Sequence, residues 1–187
     1  MSKLFKREDF KVEIINGKEI VMMAPASDNH NVVKNTIFGL FFICLKNSIC
    51  TPYADGSKVV LEENGYVIPD VFILCDKSKR RKDGIHGFLD LIVEVLSPST
   101  AEIDKGDKKD LYERAGVKEY WIVETDEKYI EVYVLKDGRY KLDGLYRLPK
   151  DTDLEDDIEK TITKFTSRIF PELEIDLYEV FQNVIDW

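Results

Sequence analysis

The stretch from Asp90 to Trp121 constrains this chain more than any other. It reads DLIVEVLSPST and then AEIDKGDKKDLYERAGVKEYW. A single carboxylate, Glu94, stands inside an apolar strand-like run (Leu91, Ile92, Val93, Val95, Leu96), and a helix-like segment follows with Asp104, Lys108 and Tyr112 at four-residue spacing. Burying an ionised carboxylate costs several kcal/mol or more unless a cation, a metal or strong hydrogen bonds compensate it. Glu94 is therefore either paired structurally or part of a site.

The surrounding pattern predicts an α/β (α+β) domain. Asn16-Gly17 between Lys11 to Ile15 and Glu19 to Met23 is a strong hairpin signal. A Ser27 or Asp28 cap then leads into a helix whose apolar face carries Val32, Val33, Ile37, Leu40, Phe41 and Leu45. Strand-like runs recur at Lys58 to Glu62, Tyr66 to Cys75, Leu89 to Leu96, Glu119 to Glu124, Tyr129 to Leu135 and Arg139 to Leu142, the last two joined by Asp137-Gly138. A helix is predicted from about Ile103 to Ala115, stopped by Gly116. After the acidic run DTDLEDDIEK, the apolar spacing of FPELEIDLYEVFQ suggests a terminal helix. Strands with one helix inserted between them point to a mixed sheet flanked by helices. At 187 residues the chain is expected to form one domain, 1–187.

The N-terminal MSKLFKREDFKVEI has no apolar core of a leader, and the run from Ile37 to Leu45 is too short to cross a bilayer, so a soluble, cytoplasmic protein is expected. Cys44, Cys50 and Cys75 lack metal-ligand spacing and sit among apolar neighbours, which predicts reduced core thiols and neither a disulfide nor zinc. The net charge of -9 argues against a protein that coats nucleic acid through long-range attraction. It leaves room for an enzyme with a local basic rim or a bound metal, and Lys77, Lys79, Arg80, Arg81 and Lys82 form such a rim or an ordinary solvated loop.

Asp70 follows Pro69 where the run Val71 to Leu74 begins, so Asp70 and Glu94 meet if their strands pair. Two close carboxylates suit a hard cation such as Mg²⁺. Residues i, i+4 and i+8 of a helix share a row, which puts Asp104, Lys108 and Tyr112 on one stripe. Asp, Glu, Lys and a metal together suit phosphodiester hydrolysis: the metal activates water and polarises the phosphoryl oxygen, and the ammonium stabilises developing charge. Each residue also has an ordinary reading, Asp70 as a strand-start cap and Asp104 with Lys108 as a helix ion pair. Ser97-Pro98-Ser99-Thr100 reads as a strand-to-helix turn, His86 as a loop residue, and Tyr112, Tyr120 and Trp121 as core or pocket wall.

Pro69-Asp70-Val71, Asp90 through Thr100, Asp104, Lys108, Tyr112, Gly116-Val117 and Glu119-Tyr120-Trp121 resemble the Uma2 (DUF820) family of the PD-(D/E)XK restriction-endonuclease-like superfamily. The resemblance extends to Gly17, Pro25, His30 and Phe170-Pro171-Glu172-Leu173, nearly the whole chain. It implies a central mixed sheet flanked by helices, Asp70 and Glu94 as ligands of Mg²⁺ or Mn²⁺, Lys108 as the catalytic lysine, and a nucleic-acid substrate, DNA foremost. Two positions depart from the pattern. The superfamily lysine usually stands two residues after the acidic one, where this chain has Leu96, and Leu89 occupies a position where the family commonly has proline before Asp90. His30 and Asp104 join the candidates at lower rank. Asp90 faces the same side of its strand as Glu94 but about 13 Å away, which makes it peripheral. Two functions are therefore expected: a metal-dependent endonuclease, with a two-fold homodimer suited to cutting both strands, or a nuclease-shaped scaffold without turnover.

Overall fold

The computed structural model describes residues 11–22, 26–54, 56–63, 65–150, 153–154 and 161–186. Met23, Pro25, the first ten residues and most of the acidic run 151–160 lie outside them. The chain opens with the expected hairpin of β1 (Lys11–Ile15) and β2 (Lys18–Met22), whose turn residues Asn16 and Gly17 have φ of 52° and 73°. Both angles are the left-handed values a two-residue hairpin turn needs. Helix α1 (Asp28–Cys44) follows, capped by Ser27, whose hydroxyl accepts from the His30 N–H at 3.2 Å. It buries Val33, Ile37 and Phe41, one residue per turn, against the sheet.

Strands β3 (Thr51–Ala54), β4 (Val59–Glu62), β5 (Gly65–Val67), β6 (Val71–Leu74), β7 (Arg80–Arg81), β8 (Gly84–His86) and β9 (Leu91–Val95) come next. The crossover helix has three parts: α2 (Ala101–Ile103), a π-helical turn at Asp104–Lys108 and α3 (Lys109–Ala115). Gly116, at φ 84°, ends it as the left-handed cap the sequence predicted. Strands β10 (Glu119–Glu124), β11 (Tyr129–Lys136), β12 (Arg139–Arg147), β13 (Lys164–Thr166) and β14 (Glu174–Asp176) and helix α4 (Leu177–Val180) complete the fold.

The central sheet runs β12-β11-β10-β9-β6-β3, mixed because β9 and β10 are parallel while the other pairs are antiparallel. A second six-stranded sheet runs β2-β1-β5-β4-β8-β7. Side chains alternate across the central sheet, and each face has its own core. Val71, Ile73, Val93, Val95 and Trp121 face α1 and the C-terminal segment. Phe72, Leu74, Ile92, Leu96, Tyr120 and Ile122 face the second sheet (Ile15, Val59, Val67, Ile85) and the crossover helix (Leu111, Tyr112). This is the expected α/β architecture of a mixed sheet with flanking helices.

Four expectations need correction. The run Tyr66 to Cys75 is two strands in different sheets, because Pro69 has no N–H to continue a ladder. The run after Phe170 forms β14 paired with β13, and only Leu177–Val180 is helical. Strand β12 continues to Arg147, past the predicted stop at Leu142. Cys50 and Cys75, expected as reduced thiols, form a disulfide. The antiparallel register Thr51↔Leu74, carried one residue outward, sets those two cysteines opposite each other, and Cys44 stays free.

Glu119 joins the C-terminal segment to the sheet. Its buried carboxylate accepts from Trp121 Nε1 (2.7 Å), Ser167 Oγ (2.9 Å) and the backbone N–H groups of Arg168 (3.0 Å) and Ile169 (3.2 Å). Truncation to alanine takes this acceptor from all four donors, leaving the Ile169 N–H only its contact to Ser167 Oγ at 3.3 Å, and hydrogen bonds to a charged group contribute about 1.5–3 kcal/mol each, non-additively. Glu119→Ala is expected to lower stability by about 3 kcal/mol or more in urea denaturation, while Trp121→Phe, which loses one donor and keeps most of the packing, should lose about half as much.

Candidate active site

The register of the central sheet brings the candidates together. Strands β6 and β9 pair as Ile73↔Leu91, Phe72↔Ile92 and Val71↔Val93, and one further step sets Asp70 opposite Glu94. Directly opposed residues point to the same face. Beyond Val71 the Asp70 carboxylate takes the place of a ladder partner, accepting from the Val95 N–H at 2.9 Å. Its Oδ2 also accepts from His30 Nε2 at 3.2 Å, and Lys11 Nζ stands 3.9 Å from Oδ1. Burial pushes the Asp70 carboxyl upward, but the His30 hydrogen bond and the charges of His30, Lys11 and Lys108 outweigh it and hold it at about 2.

Glu94 lies on the face of β9 that carries Ile92 and Leu96, beneath the crossover helix. Its Oε1 accepts from Tyr112 Oη at 2.6 Å and from Lys108 Nζ at 3.1 Å. The lysine ammonium also lies 3.1 Å from Asp104 Oδ1 and 3.1 Å from Glu13 Oε2. Glu94, Asp104 and Lys108 are each 1% exposed. Asp104 and Lys108 occupy the π-helical turn, a wider turn than the regular helix the sequence predicted, and they still face one another. Single π-turns inside α-helices collect at functional sites. The Tyr120 hydroxyl donates to the Asp104 carbonyl at 2.9 Å, and Tyr120 meets Tyr112 edge to face, walling the cluster.

Three carboxylates around one ammonium leave the cluster short of positive charge. Burial drives the Glu94 carboxyl up to about 8 despite the pull of Lys108, and Asp104, Asp70 and Glu13 add to the rise. Burial also raises Asp104. Desolvation disfavours the Lys108 charge, but Glu94, Asp104, Glu13 and Asp70 hold its proton well above the ordinary lysine range. Tyr112 is likewise pushed up, by burial first and then by Glu94. The arrangement thus favours the ionised form of Asp70, pushes Glu94 toward its protonated form and keeps Lys108 charged.

Glu13 is the member that sequence reasoning missed. Its Oε1 accepts from the Ile68 N–H at 2.7 Å, at the break that Pro69 imposes, and its Oε2 faces Lys108. The available signal was its alternation with Ile15, which puts both on the buried side of β1. Asp90 sits apart from the cluster, at the other end of β9, accepting from the Cys75 N–H (2.8 Å) and Lys118 Nζ (2.8 Å). His86 belongs to β8 and faces Asp83 at 3.1 Å, and Ser97 bonds the hydroxyls of Ser99 and Thr100 at the strand-to-helix turn.

Among the described residues no group of three or more His, Cys, Asp or Glu side chains converges as a ready-made metal cage, since Glu13, Glu94 and Asp104 converge on Lys108. The donor chemistry nevertheless fits a hard divalent cation: carboxylate oxygens outnumber the cations that face them, and Glu13 Oε2 and Asp104 Oδ1 accept no hydrogen bond. Asp70 and Glu94, opposed across one strand pair, are the residues that would hold it. Mg²⁺ needs only one or two carboxylates, with waters and substrate phosphate supplying the rest.

The opposite shifts of Asp70 and Glu94 contribute opposite terms to the pH dependence of stability. A carboxyl depressed from 3.8 to about 2 stabilises the fold above its unfolded value, and that contribution is lost as pH falls toward 2. A carboxyl raised from 4.5 to about 8 binds its proton more tightly when folded, so its contribution is complete below 4.5 and is lost as pH rises through 8. In chelator-treated protein Tm should therefore decline between these last two values, and Glu94→Gln should flatten that decline in calorimetry. At pH 7 Glu94→Gln should remain within about 1 kcal/mol of wild type. Lys108→Met, which strands the carboxylates, should cost about 3–5 kcal/mol, with partial recovery in Mn²⁺.

A solved structure shares this fold, and sequence relatives place the chain in a family. A solved structure described as "a putative nuclease belonging to DUF820", from Anabaena variabilis, superimposes with a TM-score of 0.71 over 98% of this chain and 96% of its own, at 16% identity. That likeness bears on the fold. The uncharacterized protein slr1290 of Synechocystis is 31% identical over 130 residues, 68% of either chain. A model of the Uma2 family, described as "Putative restriction endonuclease", matches residues 2–166. With most of its length matched, this chain belongs to the Uma2 family.

Proposed function

We propose that this protein is a Mg²⁺- or Mn²⁺-dependent nuclease that hydrolyses phosphodiester bonds of nucleic acid, with DNA as the substrate. The observation that carries this reading is the pairing of Asp70 with Glu94 across β6 and β9, with the Lys108 ammonium 3.1 Å from Glu94. The family description and the nuclease named among the structural relatives support it.

Asp70 and Glu94 would hold a divalent ion, whose chemistry when bound is to polarise a phosphoryl oxygen and acidify a water. The other residues prepare that pair. His30 and the Val95 N–H fix the Asp70 carboxylate in its ionised form, ready to act as a hard ligand. Tyr112 orients Glu94 through a 2.6 Å hydrogen bond. Glu94 must give up its proton to become a ligand, and a second positive charge nearby lowers the cost of doing so. Lys108 offers a fixed positive charge beside Glu94, placed to stabilise the negative charge that grows on a phosphoryl group under attack.

A second reading draws on the depth of the cluster. With Glu94, Asp104 and Lys108 each 1% exposed, the same contacts serve a nuclease-shaped scaffold in which the lysine is a structural counter-ion. A double-mutant cycle of Glu94→Gln and Lys108→Met, read with and without metal, separates the two. Coupling indifferent to Mn²⁺ supports the scaffold, and coupling that Mn²⁺ changes supports the nuclease.

The direct test is calorimetric titration of Mn²⁺ into wild type and Asp70→Asn, followed by a DNA cleavage assay. Saturable binding lost in Asp70→Asn is expected, with cleavage abolished in Glu94→Gln at unchanged Tm. Lys108→Ala should abolish cleavage while leaving metal binding largely intact. Wild type that binds no Mn²⁺ at millimolar concentration would sink the reading.

A further inference from the structure

The central and second sheets meet beside Tyr53 at a shallow groove of about 520 Å³, lined by Tyr53, Lys58, Arg80, Arg81, Lys82 and Asp83 among others. On a chain of net charge -9, four cations with one carboxylate among the described residues that line the groove are a local reversal of sign. Among the described residues none of the four is ion-paired with a carboxylate. Lys58 lies over the Tyr66 ring, its Nζ 4.1 Å from the centroid, and Arg80 donates from Nε to the Tyr53 hydroxyl with its guanidinium 5.3 Å from that ring. Asp83 hydrogen-bonds His86, and Arg81 acts on it only electrostatically.

The groove is built rather than incidental. Tyr53 stacks on Phe72, ring centroids 4.7 Å apart and planes 9° from parallel, which fixes the platform that holds Arg80. Gly84, at φ +141°, lets β8 close on the Lys58 carbonyl, where a Cβ would stand 2.5 Å from the oxygen. Ile85 N–H then bonds that carbonyl at 2.8 Å. Phe72 stacks on the Tyr53 ring, and Arg80 lies over it and bonds its hydroxyl, so the groove presents cations rather than an open stacking surface for bases.

We infer that this groove binds the phosphate backbone of nucleic acid, without regard to sequence, and delivers the strand to the Asp70–Glu94 pair. The delivery half rests on the nuclease reading and the binding half stands without it. Geometry connects the two. Tyr53 pairs with Phe72, and Phe72 with Ile92, so Tyr53 sits two strands from β9 and one side-chain row from Glu94. At the usual strand spacing and rise this is roughly 12 Å between Cα atoms, about three to four nucleotides of a duplex strand at 3.4 Å each. Fixed charges at that offset hold a backbone in register with a site that contributes carboxylates.

The probe is a labelled random-sequence DNA duplex, with its single strand alongside, bound in EDTA so that no turnover is required and read by fluorescence anisotropy as salt is raised. For four phosphate contacts the slope of log K against log salt is expected near -3.5, and Arg81→Gln/Lys82→Gln should lower its magnitude by about 2. The charge-preserving Arg81→Lys/Lys82→Arg should keep the wild-type slope. Both substituted side chains are exposed, as are Arg80 and Lys58, so the fold is not at issue. Wild type that fails to bind either DNA at about 50 mM salt, or an unchanged slope in the Gln variant, overturns the groove whatever the cleavage assay gives. Binding that the Gln variant loses, in a protein that cleaves nothing, establishes the groove and removes the catalytic reading instead.

Discussion

One ammonium group holds this architecture together at its centre. Lys108 reaches Glu13 of the second sheet, Glu94 of the central sheet and Asp104 of its own helix, each at 3.1 Å. Strand β1, far off in sequence, is thereby tied to β9 and the crossover helix through one atom. A lysine suits the place because its compact ammonium lies within ion-pair distance of three carboxylates at once, whereas arginine's planar fork favours a single bidentate partner. Apolar packing around Tyr112, Tyr120 and Ile122 keeps water from the cluster, and the same exclusion strengthens every charge interaction inside it.

That exclusion also separates two carboxylates that begin as near equivalents. Asp70 and Glu94 stand opposite each other on adjacent strands, yet one is held at about 2 and the other driven to about 8. The difference lies in their partners. Asp70 receives hydrogen bonds from His30 and a backbone N–H, neither of which is contested by another carboxylate. Glu94 must share Lys108 with Asp104 and Glu13, and its shortest contact is to a neutral hydroxyl. Paired carboxyls whose environments push their proton affinities apart are a recurrent feature of sites that handle protons.

What was legible in the sequence follows from how local each signal is. Glu94 stood out because a charge interrupted an apolar strand, and Asp104, Lys108 and Tyr112 stood out because helical periodicity put them in one row. The hairpin at Asn16-Gly17 and the stop at Gly116 were legible because each needs a left-handed backbone that few residues adopt. Glu13 was hidden. In a hairpin strand flanked by lysines it reads as a solvated charge, and only the packing of one sheet on the other buries it. The Cys50–Cys75 bond was hidden for a similar reason, since it depends on the register of β3 against β6. The strand at Glu174–Asp176 forms only because Lys164–Thr166 lies beside it, a non-local pairing that outweighs the helical spacing of its apolar residues.

The position of the lysine carries the widest consequence. Leu96, two residues after Glu94, is buried in the core that faces the crossover helix, so the positive charge beside Glu94 comes from the helix. Residues 94 and 96 point to the same side of β9, so a lysine at 96 and one on the helix above approach Glu94 from the same layer of the molecule. A charge on the helix and a charge on the strand would be held by different constraints. A strand lysine is positioned by the ladder, while Lys108 depends on the helix holding its depth and rotation. The π-turn, the Tyr120 hydrogen bond to the Asp104 carbonyl and the Glu13 contact supply that restraint. This explains why Asp104 and Glu13 accompany the lysine although neither is needed to bring Asp70 opposite Glu94: they fix, from the helix and from the second sheet, a charge that lies outside the strand ladder.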